Sequence, residues 1–166
     1  MHNTIHGLRE GALTVAYNTI LIARSAVRRL ARPTTVGVRV VVPRGDTLLL
    51  VRHRGGARPW ALPGGGVETH ETLADAALRE VREESGCAAE LLSMLGLYHS
   101  FGEGMSNYIA VFVCAPLSAP RPPVGDLEIV DARFFPRHDL PTTTDEGSLR
   151  RIAEYADGQH GIYGAW

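Results

Sequence analysis

"GGGVETHETLADAALREVREESGC", Gly64 to Cys87, sets three glycines ahead of a run that brings Glu80, Glu83 and Glu84 within one turn of each other. Thr72 to Ser85 consists of helix formers and stops at Gly86, a residue able to take the left-handed conformation that ends helices. At about 100° per residue, Leu73, Ala77 and Val81 form one stripe, while Asp75, Arg79 and Arg82 point the other way. Glu80 and Glu84 fall within about 20° of the Leu73 direction, and Glu83 about 80° to one side. The charges therefore leave the helix on its inward side. An unpaired buried charge costs several kcal/mol, and like charges at i, i+3 and i, i+4 add roughly 0.2 to 0.5 kcal/mol each, so something positive must sit among these carboxylates.

No lysine exists to supply it, because all 17 basic side chains are arginine, and Arg79 and Arg82 are expected to point outward. A divalent cation is the economical partner. Magnesium takes oxygen ligands, and typically binds a few carboxylates, water and a substrate phosphate; Glu80, Glu83 and Glu84 make such a set, with manganese as the substitute ion. The glycines fit the same picture. A glycine-rich turn lets backbone groups approach an ion or a phosphate without side-chain obstruction, so Gly64 to Gly66 are expected to form one wall of the site.

Working outward, "TTVGVRVVVP" (Thr34 to Pro43) and "DTLLLVRH" (Asp46 to His53) are β-rich runs separated by an Arg-Gly turn and read as a hairpin. Strands are expected at about Ala88 to Tyr98, Asn107 to Ala115 and Ile129 to Phe135, and a final helix, capped by Thr144 or Asp145, runs to about Ala156. Upstream, Ile5 to Leu30 shows helical spacing before Pro33. The tail "GQHGIYGAW" is either frayed or docked on a neighbouring surface. Strands interleave with helices without strict alternation, which fits a mixed sheet with helices on both faces, an α+β fold. Residues 1–33 read as an appended helix and 34–166 as one domain.

Composition removes other classes. The hydrophobic fraction of 45% and charged fraction of 21% are those of a folded globular chain, and a formal charge of -1 gives no pull toward nucleic acid. The absence of lysine excludes Schiff-base catalysis. Cys87 and Cys114 read as buried free thiols of a cytoplasmic protein. The amino-terminal segment carries Arg9, Arg24, Arg28, Arg29 and Arg32 against Glu10 alone. It is expected to pack on the domain, or on a second subunit in a homodimer, rather than on a membrane.

Gly65, Glu71 and Arg79-Glu80-Val81-Arg82-Glu83-Glu84-Ser85-Gly86-Cys87 together resemble a complete Nudix box, and "LLLVRH", "WALPGGGVE" and "DARFFPRHDLP" are similar to the flanks of Nudix domains. The resemblance covers about Thr35 to Pro141. His70 departs from it where a glycine usually stands, and Cys87 where a larger aliphatic residue does. The resemblance implies an α/β/α sandwich. It also implies a hydrolase that attacks a nucleoside diphosphate derivative with metal-activated water, or else a catalytically weak nucleotide-binding or regulatory module on the same fold. It implies Glu80, Glu83 and Glu84 as metal ligands, the Gly64 carbonyl as an additional one, and an Arg79–Glu71 ion pair that fixes the loop on the helix. Glu83 is the first candidate for general base, Glu128 a further catalytic or metal-binding carboxylate, and Glu103 a weaker one. Arg52, His53, Arg54 and Arg58 should border the cleft, the arginines as substrate contacts together with Gly65 and Gly66. Trp60 is expected to pack against the box helix. A small-molecule nucleoside diphosphate derivative is the implied partner, with no stable nucleic-acid partner.

Overall fold

In the computed structural model, which describes residues 11–16, 18–20, 34–102 and 105–166, the chain folds around two four-stranded sheets. In the first, β1 (Thr34–Val41) runs parallel to β6 (Met105–Pro116), β6 antiparallel to β5 (Ala89–Gly102), and β5 parallel to β8 (Ile162–Ala165). In the second, β3 (Thr47–His53) is the hub. It pairs antiparallel with β7 (Ile129–Pro136) on one edge and with the short β2 (Pro43–Arg44) and β4 (Trp60–Ala61) on the other.

The expected hairpin needs correction here. Asp46 to His53 does return on its predecessor, but the strand it meets is the two-residue β2, while Thr34 to Val41 belongs to the other sheet and pairs with β6. A run of β-branched residues states that a strand exists and leaves its partner open. The strands expected at Ala88 to Tyr98 and Asn107 to Ala115 are each longer, pairing from Ala89↔Pro116 to Gly102↔Met105.

α1 (Leu73–Ser85) begins at Thr72, whose hydroxyl accepts the Asp75 N–H, and ends at Gly86 with φ 65°. α2 (Glu146–Ala156) is capped by Asp145, which accepts the Gly147 and Ser148 N–H groups. In the amino-terminal segment, residues 11–16 and 18–20 are helical; the remainder of the helix expected over Ile5 to Leu30 lies outside the described residues, as does Glu103. Among the described residues no helix is long and apolar enough to cross a membrane.

The core has two main halves. Ala76, Ala77 and Val81 of α1 pack with Val38, Val40, Leu49, Ala110 and Phe112. On the opposite side, Ile152 of α2 packs with Val41, Leu48, Leu50, Ile109 and Val111. Alternate residues of β3 thus serve alternate halves, as the two-residue period of a strand requires when both faces are covered.

Trp60 corrects a second expectation: it is buried in the half beneath α2, edge-on to Phe135, and not against the box helix. Both cysteines are buried and free; burial pushes the Cys114 thiol up to about 11, and the Cys87 Sγ donates to Ser118 O. The tail is docked as β8, its chain tied down by Trp166 N–H donating to His99 O at 2.8 Å.

Candidate active site

The glycine segment runs antiparallel along the edge of β1 that β6 leaves open. Val40 N–H donates to Pro63 O, Val38 N–H to Gly65 O and Val67 N–H to Val36 O, at 2.9, 2.9 and 3.1 Å. The glycines are required for two separate reasons. Gly64 has φ 146°, and a Cβ there would overlap Val38 O; a Cβ on Gly65 would come to 2.5 Å from Glu80 Oε1. The first is a demand of the backbone, the second a demand of the carboxylate that the loop faces.

α1 delivers that carboxylate. Glu80 and Glu84 are 9% and 8% exposed, while Glu83 and Arg82 are exposed. Arg79 does not stay outward as the helical projection expects. Its long arm folds back, leaving the side chain 15% exposed. Nε and Nη2 donate to Glu71 at 2.7 and 2.9 Å, Nη2 also to Gly66 O at 3.0 Å, and Nη1 to Glu80 at 2.8 Å and Glu83 at 3.1 Å. The Glu71 pair lies where the resemblance implies it, and it holds the Glu71 carboxyl down at about 2. The guanidinium is thereby held even more firmly protonated than an ordinary arginine. The contacts to Glu80 and Glu83 mean that an arginine already supplies part of the positive charge the cluster demands.

Glu84 takes no guanidinium contact among the described residues. Its Oε2 accepts the Gly64 N–H at 2.8 Å, and burial pushes its carboxyl up to about 7 against the pull of Arg39. Burial likewise raises Glu80, against its bond to Arg79. Arg39, absent from the sequence expectations, donates to Gly64 O at 2.5 Å and Leu62 O at 3.1 Å, so it both braces the glycine segment and faces the glutamates with a positive charge. A lone arginine inside the apolar strand "VGVRVVV" was the available signal.

Across from Glu84 stand His53 and Glu128, and one ligand atom from each of the three lies within 4.8 Å of the others. His53 Nδ1 is 3.6 Å from Glu128 Oε1. The β3–β7 pairing slips at Arg52/His53, where His53 meets Ile129, the residue after Glu128. A bulge of this kind re-aims a side chain, and here it brings the end of β3 to the glutamates. Two carboxylates and an imidazole within reach of one another, one carboxylate buried and short of cationic partners, are a donor set that fits a divalent cation. Glu80 and Glu83 lie one turn away and face Arg79.

A cavity of about 680 Å³ opens beside this group, lined by His53, Glu128 and Gly64 to Gly66 and, among others, by Thr35, Asn107 and Trp166. Arg52, Arg54 and Arg58 do not line it. Arg54 donates to Asp126 O and Leu127 O, Arg58 to Thr144 O, and Arg52 lies near the Trp60 ring. Arg54 and Arg58 thus brace the connections that precede β7 and α2, whose carbonyls they satisfy.

The family profile of the NUDIX domain matches residues 32–155. The ADP-ribose pyrophosphatase of Methanocaldococcus jannaschii is 29% identical over 116 residues, covering 68% of this chain and 68% of that protein. A MutT-like protein of Streptomyces ambofaciens is 38% identical over 82 residues, covering 49% of this chain and 52% of its own. Over the first three curated relatives the chain spans 43%, 68% and 52% of their length. Among solved structures, a NUDIX hydrolase from Nitrosomonas europaea superposes with a TM-score of 0.67 at 24% identity, over 80% of this chain and 78% of that one.

Proposed function

The chain belongs to the NUDIX domain family, and from that premise we propose that it is a Mg²⁺-dependent hydrolase cleaving the pyrophosphate bond of a nucleoside diphosphate derivative. The observation that carries the proposal is Glu84. A carboxylate 8% exposed, bonded to the Gly64 N–H and flanked by His53 and Glu128, is costly unless a cation joins it. The relative named an ADP-ribose pyrophosphatase supports a substrate of this class. The buried free thiols support a reducing, cytoplasmic setting.

Glu80, Glu83 and Glu84 would hold the ion, with Glu128, His53 and the Gly64 carbonyl beside them. When bound, it supplies neutralisation of pyrophosphate oxygens and a more acidic water. The chain's own groups do the rest. Gly65 and Gly66 offer an unobstructed backbone to the diphosphate, Arg79 clamps Glu71 and the loop onto α1, and Glu83 or Glu128 accepts the proton of the attacking water. Glu83 is exposed and would exchange its bond with Arg79 for that task, while Glu128 lines the cavity itself.

Phosphate release from a panel of nucleoside diphosphate derivatives with Mg²⁺ tests this. Glu84→Gln and Glu83→Gln are expected to lower kcat by two orders of magnitude or more with the fold intact by circular dichroism. Wild-type turnover in both variants would remove the metal-site reading. Absence of turnover on every substrate, with nucleotide still bound, would make the protein a binding module.

A further inference from the structure

The family profile ends at residue 155, yet the cavity does not. Beyond that point the chain adds β8 to the outer edge of β5 and sets Trp166 into the cavity wall. We propose that Trp166 is a nucleobase-binding residue that decides which nucleoside diphosphate derivatives this protein accepts; the inference rests on the hydrolase reading above for the diphosphate end of the ligand.

The indole is held in place from several directions. Its backbone N–H donates to His99 O, and its ring meets Tyr98 edge-on with centroids 6.2 Å apart. Arg151, 3% exposed, lies 3.9 Å over the Tyr98 ring and 5.4 Å from the Trp166 ring, and donates to Ala165 O at 3.2 Å. Glu154 fixes that guanidinium with two bonds of 2.7 Å and accepts the Tyr98 hydroxyl at 2.7 Å. Gly147, in the first turn of α2, makes room: a Cβ there would overlap the indole Nε1. Despite these supports Trp166 remains partly exposed.

A preorganised aromatic ring in a polar cavity suits a flat heteroaromatic ligand, since every base has a π-face to stack. Elsewhere in the cavity wall, Thr35 Oγ1 donates to Asn107 Oδ1 at 3.0 Å, leaving the amide N–H pair of Asn107 to meet an acceptor on a base edge. Trp60, the other tryptophan, is buried in the core. Trp166 packs at the margin of the same apolar cluster but is the one of the two that lines the cavity, so its indole signal is the one that reports on the cavity directly.

The test is titration of the full chain with ADP, GDP, UDP and inorganic pyrophosphate in Mg²⁺, read by the two indole N–H resonances, with the Trp166 signal assigned by Trp166→Phe. At least one nucleotide is expected to shift the Trp166 resonance and leave Trp60 in place, while pyrophosphate leaves both. Trp166→Ala is expected to weaken that nucleotide about 10- to 100-fold, with Kd for pyrophosphate unchanged; Trp166→Phe should restore most of the affinity. Equal response to pyrophosphate, or unchanged nucleotide affinity in Trp166→Ala, overturns the assignment. Should Trp166→Ala fail to fold, the wild-type titration decides alone. Nucleotide contact at Trp166 without hydrolysis of any diphosphate would sink the hydrolase reading and spare this one, whereas hydrolysis indifferent to Trp166→Ala would do the reverse.

Discussion

Glu84 is where burial and charge conflict most sharply, and the conflict has a pH signature. Its folded pKa, about 7, lies above the ordinary 4.5. The stability it contributes is therefore complete below pH 4.5 and is lost as pH rises through 7, on the order of 3 kcal/mol in all. Glu80 is raised in the same direction. Glu71 runs the other way, but its window lies lower, since its stabilisation is present above pH 4.5 and is lost as pH falls toward 2. In chelator, the melting temperature is expected to fall between pH 4.5 and 7, and Glu84→Gln to flatten that fall; Mg²⁺ should raise the melting temperature of wild type at pH 8 and do less for the variant. Equal Mg²⁺ shifts in both would exclude Glu84 as a ligand. Much of this was legible at the residue level: the angular positions of Glu80 and Glu84 follow from sequence spacing alone. Arg79 was not legible, because a helical projection gives the direction of Cβ and says nothing of an arm long enough to turn back. His70 fits the same scale. Its φ of 63° accounts for glycine being usual at that place in the family.

At the level of elements, the glycine segment separates stability from activity. Gly64→Ala meets the β1 backbone at a positive φ and has no way to yield, so a loss of several kcal/mol in urea denaturation is expected. Gly65→Ala meets only the end of the Glu80 side chain, which can swing aside. Its stability should stay within about 1 kcal/mol of wild type, while turnover drops at least tenfold because the displaced carboxylate is part of the proposed ligand set. A reversed order of the two effects would contradict the packing of this loop. α1 itself could be read from sequence nearly to the residue, since period, cap and stop are all local. The partner of β1 could not, because the pairing with β6 joins segments far apart in the chain and nothing local encodes it.

For the molecule as a whole, the Arg151–Glu154–Tyr98 cluster adds, through the Arg151 bond to Ala165 O, to the β5 pairing that ties β8 to the domain. Arg151→Ala leaves the Glu154 carboxylate without its guanidinium, bonded only by the Tyr98 hydroxyl, and a loss of about 3 kcal/mol is expected in chemical denaturation. It should be accompanied by faster hydrogen exchange in residues 162–165 than elsewhere in the sheet. Exchange that rises uniformly would mean the cluster serves the core and not the tail. The sequence left this tail undecided between frayed and docked, because Tyr163 and Trp166 pack only on surfaces that exist once the sheet has formed. Both parallel pairings, β1 with β6 and β5 with β8, close long stretches of chain before any bond rewards them. During refolding the hairpin of β5 and β6 can therefore assemble early, whereas the cavity, which also takes residues from β1, the glycine segment and Trp166, is complete only once both parallel pairings have closed.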